Sequence, residues 1–162
     1  MKKKTIVIIP AYNEEKTIAE VIRRTLPYAD ICVVNDASRD RTEEIVKTFP
    51  QVTCISHATN THIPRAVLDG MRHALAAGYG HMVTMDAGLS HKPEELPVFI
   101  EAPDADLVSG CRVTRENTPL YRRALSRLGT LSLNFALRPI GSKLPPARFH
   151  DVTSGYRRYS RR

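Results

Sequence analysis

The segment Thr5-Ile-Val-Ile-Ile9 is made entirely of β-branched residues and is closed by Pro10. Such a run has no polar face to offer water. As a strand it must be buried on both sides, which points to an interior strand of a parallel sheet with helices packed on each face. The run therefore fixes the class of fold before any other residue is considered.

The residues after it agree with that class. The polar turn Pro10-Ala-Tyr-Asn-Glu-Glu15 leads into Ile18, Val21, Ile22 and Leu26, apolar at helical spacing, with Asn13 placed to cap the helix. A second strand is read at Ile31-Cys-Val-Val34, then a loop Asn35-Asp-Ala-Ser-Arg39, then Asp40 and Glu43 at capping-box spacing before Ile45, Val46 and Phe49. Further strands are expected at Val52 to Ser56 and His81 to Met85. Between them a long helix runs from about Pro64 to a stop at Gly78-Tyr-Gly80. Beyond Asp86, a short helix is expected over Glu94 to Ile100, a strand over Asp106 to Ser109 and a basic amphipathic helix over Leu120 to Leu137. The remainder is rich in Pro, Gly and Arg and receives no assignment; the chain stops at Arg161-Arg162 with no terminal element to finish it, which reads as a C-terminal truncation.

Strands alternating with helices imply right-handed crossovers and a mainly parallel sheet flanked by helices, an α/β fold in which ligands sit beyond the carboxyl ends of the strands. The loops after the first, second and fourth strands are thus expected to converge. The usual dinucleotide Gly-x-Gly-x-x-Gly turn and the P-loop Gly-x-x-x-x-Gly-Lys are both missing from the chain.

Composition narrows the partners. The 162 residues, 42% hydrophobic and 25% charged, suit one globular domain. No apolar run approaches the roughly 18 residues of a bilayer span, so the chain is expected to be cytoplasmic. Cys32, Cys54 and Cys111 lack metal-site spacing, and two of them lie inside strands, as reduced thiols would. Residues 1–105 carry 12 Lys and Arg against 14 Asp and Glu, whereas residues 106–162 carry 12 against 3. That basic part wants an anionic partner: nucleic acid, an acidic lipid surface or a phosphate substrate. No nucleic-acid-binding signature accompanies the charge, so nucleic acid is not expected.

Three loops hold the candidate chemistry. Tyr12 can pack on a base or ribose while Glu14 accepts a hydrogen bond, or the segment is an ordinary capped turn. Asp36 ends the second strand as a carboxylate suited to a ribose hydroxyl or base amino group, although Asn-Asp-Ala-Ser is also good turn chemistry. In Met85-Asp-Ala-Gly-Leu-Ser-His91, Asp86 ends an apolar strand beside a glycine that permits close approach to phosphate. His91 reads equally as a structural or a site histidine.

Four segments together, Ile-Ile-Pro-Ala-Tyr-Asn-Glu (8–14), Val-Val-Asn-Asp-Ala-Ser (33–38), Met-Asp-Ala-Gly-Leu-Ser-His (85–91) and Asp-Val-Thr-Ser-Gly-Tyr-Arg (151–157), resemble successive motifs of family 2 glycosyltransferases. The nearest subgroup is the dolichol-phosphate mannosyltransferase-like and bacterial polyprenyl-phosphate enzymes. The resemblance implies a single GT-A domain over 1–162, with a basic acceptor-side part from about 106 to 162. It implies that Pro10, Tyr12, Glu14, Asp36 and Asp86 bind the nucleotide and that Asp86 serves the diphosphate and a Mg²⁺ or Mn²⁺ ion. Arg112 is carried over as a phosphate contact, and Arg122, Ser126 and Arg157 as acceptor-phosphate contacts.

The chain departs from the family pattern at two places. Gly88 stands where Asp-x-Asp usually has its second carboxylate, leaving Ser90 as a further metal position, and His62 and Pro64 stand where relatives have glycines. The implied activity is inverting transfer of a sugar from a GDP- or UDP-linked donor to polyprenyl or dolichyl phosphate, by an enzyme peripheral at the membrane. The alternative is a catalytically weak nucleotide-sugar-binding module of the same fold.

Overall fold

The computed structural model describes residues 4–111, 128–132 and 154–161. The chain forms two compact units, Met1–Val108 with Tyr156–Arg162, and Ser109–Gly155. In the second unit residues 128–132 are helical, with Leu128 and Leu131 exposed. They fall inside the helix expected over Leu120 to Leu137.

The first unit is built in the order β1 (Thr5–Ala11), α1 (Ile18–Thr25), β2 (Asp30–Asn35), α2 (Thr42–Lys47), β3 (Thr53–Ser56), α3 (His62–Ala76) and β4 (His81–Thr84). After these come a 3₁₀ turn (Pro93–Glu95), α4 (Leu96–Glu101), β5 (Leu107–Ser109) and β6 (Arg157–Ser160). The sheet order is β3-β2-β1-β4-β6-β5. β1 pairs in parallel with β2 and β4, β2 with β3, and β6 lies antiparallel to β4.

The β-branched run behaves as its composition requires. Ile6 and Ile8 of β1 point with Cys32, Val34 and Met82 towards Ala66 and Ala74 of α3. Val7, Ile9 and Ala11 point the other way, with Ile31, Val33 and Val83, towards Ile18, Val21 and Ile22 of α1, Val46 of α2 and Leu96 and Phe99 of α4. α3 comes close to the sheet because Gly70 carries no side chain; a Cβ there would stand 2.5 Å from Ile8 Cγ2.

β1 extends two residues beyond the expected end, through Pro10. The β1–β4 pairing stops at Ile8–Thr84, so the amide that Pro10 lacks falls where the neighbouring strand has already ended, while on the other side Pro10 stays in register with Val34.

Two local expectations are corrected. Asn13 does not cap α1: Thr17 precedes that helix without a side-chain cap bond, and Asn13 Oδ1 instead accepts from the Arg39 amide at 2.8 Å. The capping box before α2 is half made. Asp40 Oδ1 accepts from the Thr42 amide at 3.0 Å and from Thr42 Oγ1, whereas Glu43 turns to Asn35 and Lys47.

The C-terminal strand has no counterpart among the elements expected from sequence. β6 inserts between β4 and β5, which places Arg158 in the core at 0% exposure. Its guanidinium donates to the carbonyls of Phe99 at 2.8 Å, Ala102 at 3.0 Å and Pro103 at 2.6 Å. A buried guanidinium is tolerated here because it meets the carbonyls that the end of α4 leaves without helical partners. Among the described residues, no helix is long and apolar enough to cross a membrane.

Candidate functional site

The loops after β1 and β2 leave the same edge of the sheet and are laced together. Asn13 N donates to Ser38 Oγ at 3.0 Å, Glu14 N to Thr42 Oγ1 at 2.8 Å and Glu15 N to Asp40 Oδ2 at 3.0 Å. In return, Asn13 Oδ1 takes the Arg39 amide and Glu15 Oε2 takes the Arg41 amide at 3.2 Å. The polar side chains of the two turns thus serve each other's backbone, which holds both loops open at the strand ends. Tyr12 is left exposed at 43%, and Glu14 Oε2 accepts from Thr17 Oγ1 at 2.9 Å.

Asp36 follows β2 directly, its amide bonded to Ala11 O at 2.8 Å. Its carboxylate is buried, and Oδ1 accepts from the Thr61 amide at 2.9 Å, from Thr61 Oγ1 at 2.8 Å and from His57 Nδ1 at 2.7 Å. Burial pushes the carboxyl pKa up, but the donations from His57, Thr61 and the His62 amide outweigh it, and Asp36 lies below the usual carboxylate range. His57 and Thr61 are residues that sequence reasoning missed. The signal that could have found them is their position on the β3–α3 connection, which the parallel order β1-β2-β3 brings to this edge.

Asp86 stands two residues past β4. Because β4 runs parallel to β1, this end lies on the same edge as the other two loops. Its side chain is 37% exposed. The Asp86 amide donates to His91 Nδ1 at 3.1 Å and the His91 amide returns a longer bond to Asp86 Oδ1 at 3.3 Å. His91 thus ties the 86–91 loop back on itself and fixes the carboxylate from behind. Its ring stacks on Tyr156 at 4.9 Å between centroids, and Tyr156 also packs against Phe99 at 4.3 Å. Burial, then the charges of Glu95, Glu94 and Asp86, push the Tyr156 phenol well above its ordinary pKa, so it stays neutral and donates to Lys92 O at 3.2 Å. The next turn is moored to α1 by a two-pronged bond from Arg24 to Glu94, both contacts 2.8 Å, which lowers the Glu94 carboxyl to about 2.

Arg157 begins β6 in register with Thr84, two residues before Asp86, and on the α3 face of the sheet, opposite to Arg158. β6 therefore delivers one arginine to the core and its neighbour to the strand end that carries Asp86. Ser90 is exposed in the Asp86 loop, and Gly88 has open space around the position a Cβ would take. Arg112, Arg122 and Ser126 lie outside the described residues. Of the three cysteines Cys32 is buried, Cys54 half-buried and Cys111 exposed; burial first, and then the neighbouring Cys54, pushes the Cys32 thiol up to about 12.

The described loops also concentrate backbone strain. The non-glycine residues with positive φ are Asn13 at 58°, Ala37 at 60° and His62 at 66°, one on each of the loops after β1, β2 and β3. A left-handed conformation costs an L-residue roughly 1–2 kcal/mol, and it persists where surrounding bonds determine it. His62 holds this torsion although it carries a full side chain.

A doubly wound sheet with polar loops gathered at the carboxyl edge, and an antiparallel strand between β4 and β5, defines a glycosyltransferase domain of the GT-A type. The chain belongs to glycosyl transferase family 2, whose model matches residues 6–162. It is 35% identical to a polyprenol monophosphomannose synthase of Mycolicibacterium smegmatis over 98% of this chain and 62% of that protein. It is also 35% identical to an undecaprenyl-phosphate mannosyltransferase of Micrococcus luteus, over 96% and 66%. The chain thus spans just under two thirds of the length of these relatives. Among solved structures it resembles glucosyl-3-phosphoglycerate synthase of Mycobacterium tuberculosis in complex with UDP, with a TM-score of 0.67 at 23% identity, covering 98% of this chain and 57% of that one. The same synthase with Mn²⁺, UDP and phosphoglyceric acid matches at a TM-score of 0.67 and 22% identity, covering 98% of this chain and 56% of that one.

Proposed function

We propose that the chain is the donor-binding domain of an inverting glycosyltransferase that moves a sugar from a GDP- or UDP-linked donor to polyprenyl phosphate at the membrane surface. One observation carries the reading: Asp86, a carboxylate oriented from behind by His91, stands partly exposed at the strand end where Arg157 arrives. The names of the relatives, a polyprenol-linked and an undecaprenyl-phosphate mannosyltransferase, supply the acceptor class.

The residues fit a divalent cation of one kind. Among the described residues no three His, Cys, Asp or Glu side chains cluster as ligands, and His91 Nδ1 is engaged by the Asp86 amide. A single carboxylate suits Mg²⁺ or Mn²⁺ bound together with the donor's own diphosphate and water, with Asp86 as the protein ligand and Ser90 within the same loop. When bound, the ion offsets charge on the departing nucleotide diphosphate. Pro10, Tyr12, Glu14 and Asp36 line the nucleoside side. Arg157 is assigned to phosphate, where guanidinium forks pair well with phosphate oxygens, and the family resemblance assigns Arg112, Arg122 and Ser126 of the basic segment to phosphate as well.

The nucleophile is a phosphate oxygen of the acceptor, already anionic near neutral pH, so no strong general base is needed. Asp86 therefore orients charge instead of taking a proton, and catalysis rests on alignment and electrostatic stabilisation of the leaving group.

The test is calorimetric titration of GDP, UDP and their sugars with and without Mg²⁺ or Mn²⁺, on the wild-type chain and on Asp86→Ala. Metal-dependent binding that disappears in the variant is the expected result. Binding that survives in Asp86→Ala, or no binding by the wild type, would overturn the reading.

A further inference from the structure

We propose that His57 is a positioning residue for nucleotide recognition, setting the Asp36 carboxylate from behind. The inference rests on the donor-site reading, and it gives a role to residues that no family motif in this chain includes.

The geometry is a row of polar side chains running from α3 into the strand end. Asp69 is held by Arg65 Nε and by Arg72, both at 2.7 Å, one turn away on either side. His57 lies between this anchored carboxylate and Asp36, with Nε2 3.5 Å from Asp69 Oδ2 and Nδ1 2.7 Å from Asp36 Oδ1. An ionised carboxylate can only accept, so Nδ1 carries a hydrogen. The backbone of His57 is itself pinned, donating to Asn35 O at 2.9 Å, which places the ring beside the residue that precedes Asp36.

The consequence is directional. Both Thr61 donors and His57 converge on Oδ1, with Thr61 Oγ1 and His57 Nδ1 themselves 2.9 Å apart, so the orientation of the carboxylate is set. A base or ribose donor then meets an oxygen whose orientation is already decided, and less freedom is lost on binding. Thr61 supplies two of the three donors, and the next residue, His62, takes the left-handed turn into α3. His57 comes from a different segment than Thr61 and His62, so it can be altered while the turn is kept.

Two substitutions separate positioning from packing. In His57→Asn the amide nitrogen falls near the place of Nδ1 and can still donate to Asp36, but nothing reaches Asp69. In His57→Gln the amide extends towards the place of Nε2 and the bond to Asp36 is lost. Titration of UDP and GDP with Mg²⁺, alongside thermal unfolding, is run on the wild type, both variants and His57→Ala. The expected result is binding by His57→Asn within about threefold of wild type, and binding by His57→Gln and His57→Ala weakened about 10- to 100-fold, as for other outer-shell partners. Tm is expected to be similar in the Asn and Gln variants. If His57→Ala does not fold, the Asn and Gln pair decides. Wild-type-like binding by His57→Gln, or loss in both variants in step with Tm, overturns the inference alone. A wild type that binds neither nucleotide overturns the donor-site reading and this inference with it.

Discussion

The two edges of the sheet are built on opposite principles. At the carboxyl edge, three non-glycine residues hold left-handed torsions, polar side chains cross between loops, and Asp86 faces solvent in part. At the amino edge, side chains close on one another. Tyr79 Oη donates to Asp30 Oδ2 at 2.7 Å, and Lys4 Nζ meets the same oxygen at 2.8 Å and lies over the Tyr79 ring; Arg158, in the core, is likewise used up on the carbonyls around the end of α4. The difference teaches where each kind of residue can be spent: one edge keeps charge available to a ligand, the other uses it up in pairs. Substitutions at the first edge should alter binding and transfer, and those at the second should alter stability.

The largest expected effect is at Asp86. Replacement by alanine should lower sugar transfer about 10²- to 10³-fold, as when a group that stabilises transition-state charge is removed, while Tm stays close to wild type. A fall in Tm comparable to that of a core variant would break the contrast. The counterpart in the core is Arg158→Met, which leaves the Phe99, Ala102 and Pro103 carbonyls without their donor. Unsatisfied buried groups cost about 1–3 kcal/mol each. Partial access of water to this end reduces the total to about 3 kcal/mol of lost stability in chemical denaturation, with nucleotide affinity per folded molecule unchanged.

Gly88→Asp sharpens the first half of the comparison. A Cβ at this position meets nothing within 4 Å, and the backbone there is not left-handed, so a carboxylate fits without strain. It restores the second acid of Asp-x-Asp. A rise of about tenfold in Mn²⁺ affinity in the presence of nucleotide is expected from the added ligand charge, measured by calorimetry; an unchanged affinity would show that the ion is not bound beside Asp86.

His62→Gly tests whether the strain belongs to the binding edge. Relief of the left-handed torsion returns roughly 1–2 kcal/mol, against roughly 0.5–1 kcal/mol for the extra freedom of glycine when unfolded. A gain of about 0.5–1 kcal/mol in unfolding free energy is the expected outcome. A loss would mean that the His62 side chain contributes more than its torsion costs.

This residue also shows what the sequence could and could not reveal. β1 was legible because five β-branched residues admit one arrangement, and Asp36 and Asp86 because a carboxylate ending an apolar strand in this fold falls at the ligand edge. β6 was not, since Arg-Arg-Tyr-Ser has no apolar pattern: Arg158 becomes a core residue only when α4 presents its carbonyls. Asn13 was misread because local spacing favours a cap, while the neighbouring loop, 26 positions away, offers a better-placed amide. His57 stayed hidden for the same reason, since its bond to Asp36 and its approach to Asp69 depend on the β3–α3 connection folding back over β2. The torsion at His62 was not legible, since a histidine carries no sequence signal for a left-handed turn.

The smallest expected effect is at Asp30. Hydrogen bonds from Lys4 and then Tyr79 hold its carboxyl below the usual value of 3.8, against the upward push of burial. A carboxyl lowered by folding contributes stability that is fully present above its unfolded pKa and is lost as pH falls through the folded one. Asp30→Asn should therefore lower Tm slightly at neutral pH, by about 2 °C, because the ion pair is half-exposed. The gap between the two proteins should close as pH is taken below 3.8 and through the lowered value. Nucleotide affinity at pH 7 should match wild type. A change in affinity would mean that the closed edge communicates with the open one, and the contrast between them would have to be redrawn around β1 and β2, the strands that join Lys4 and Asp30 to the binding loops.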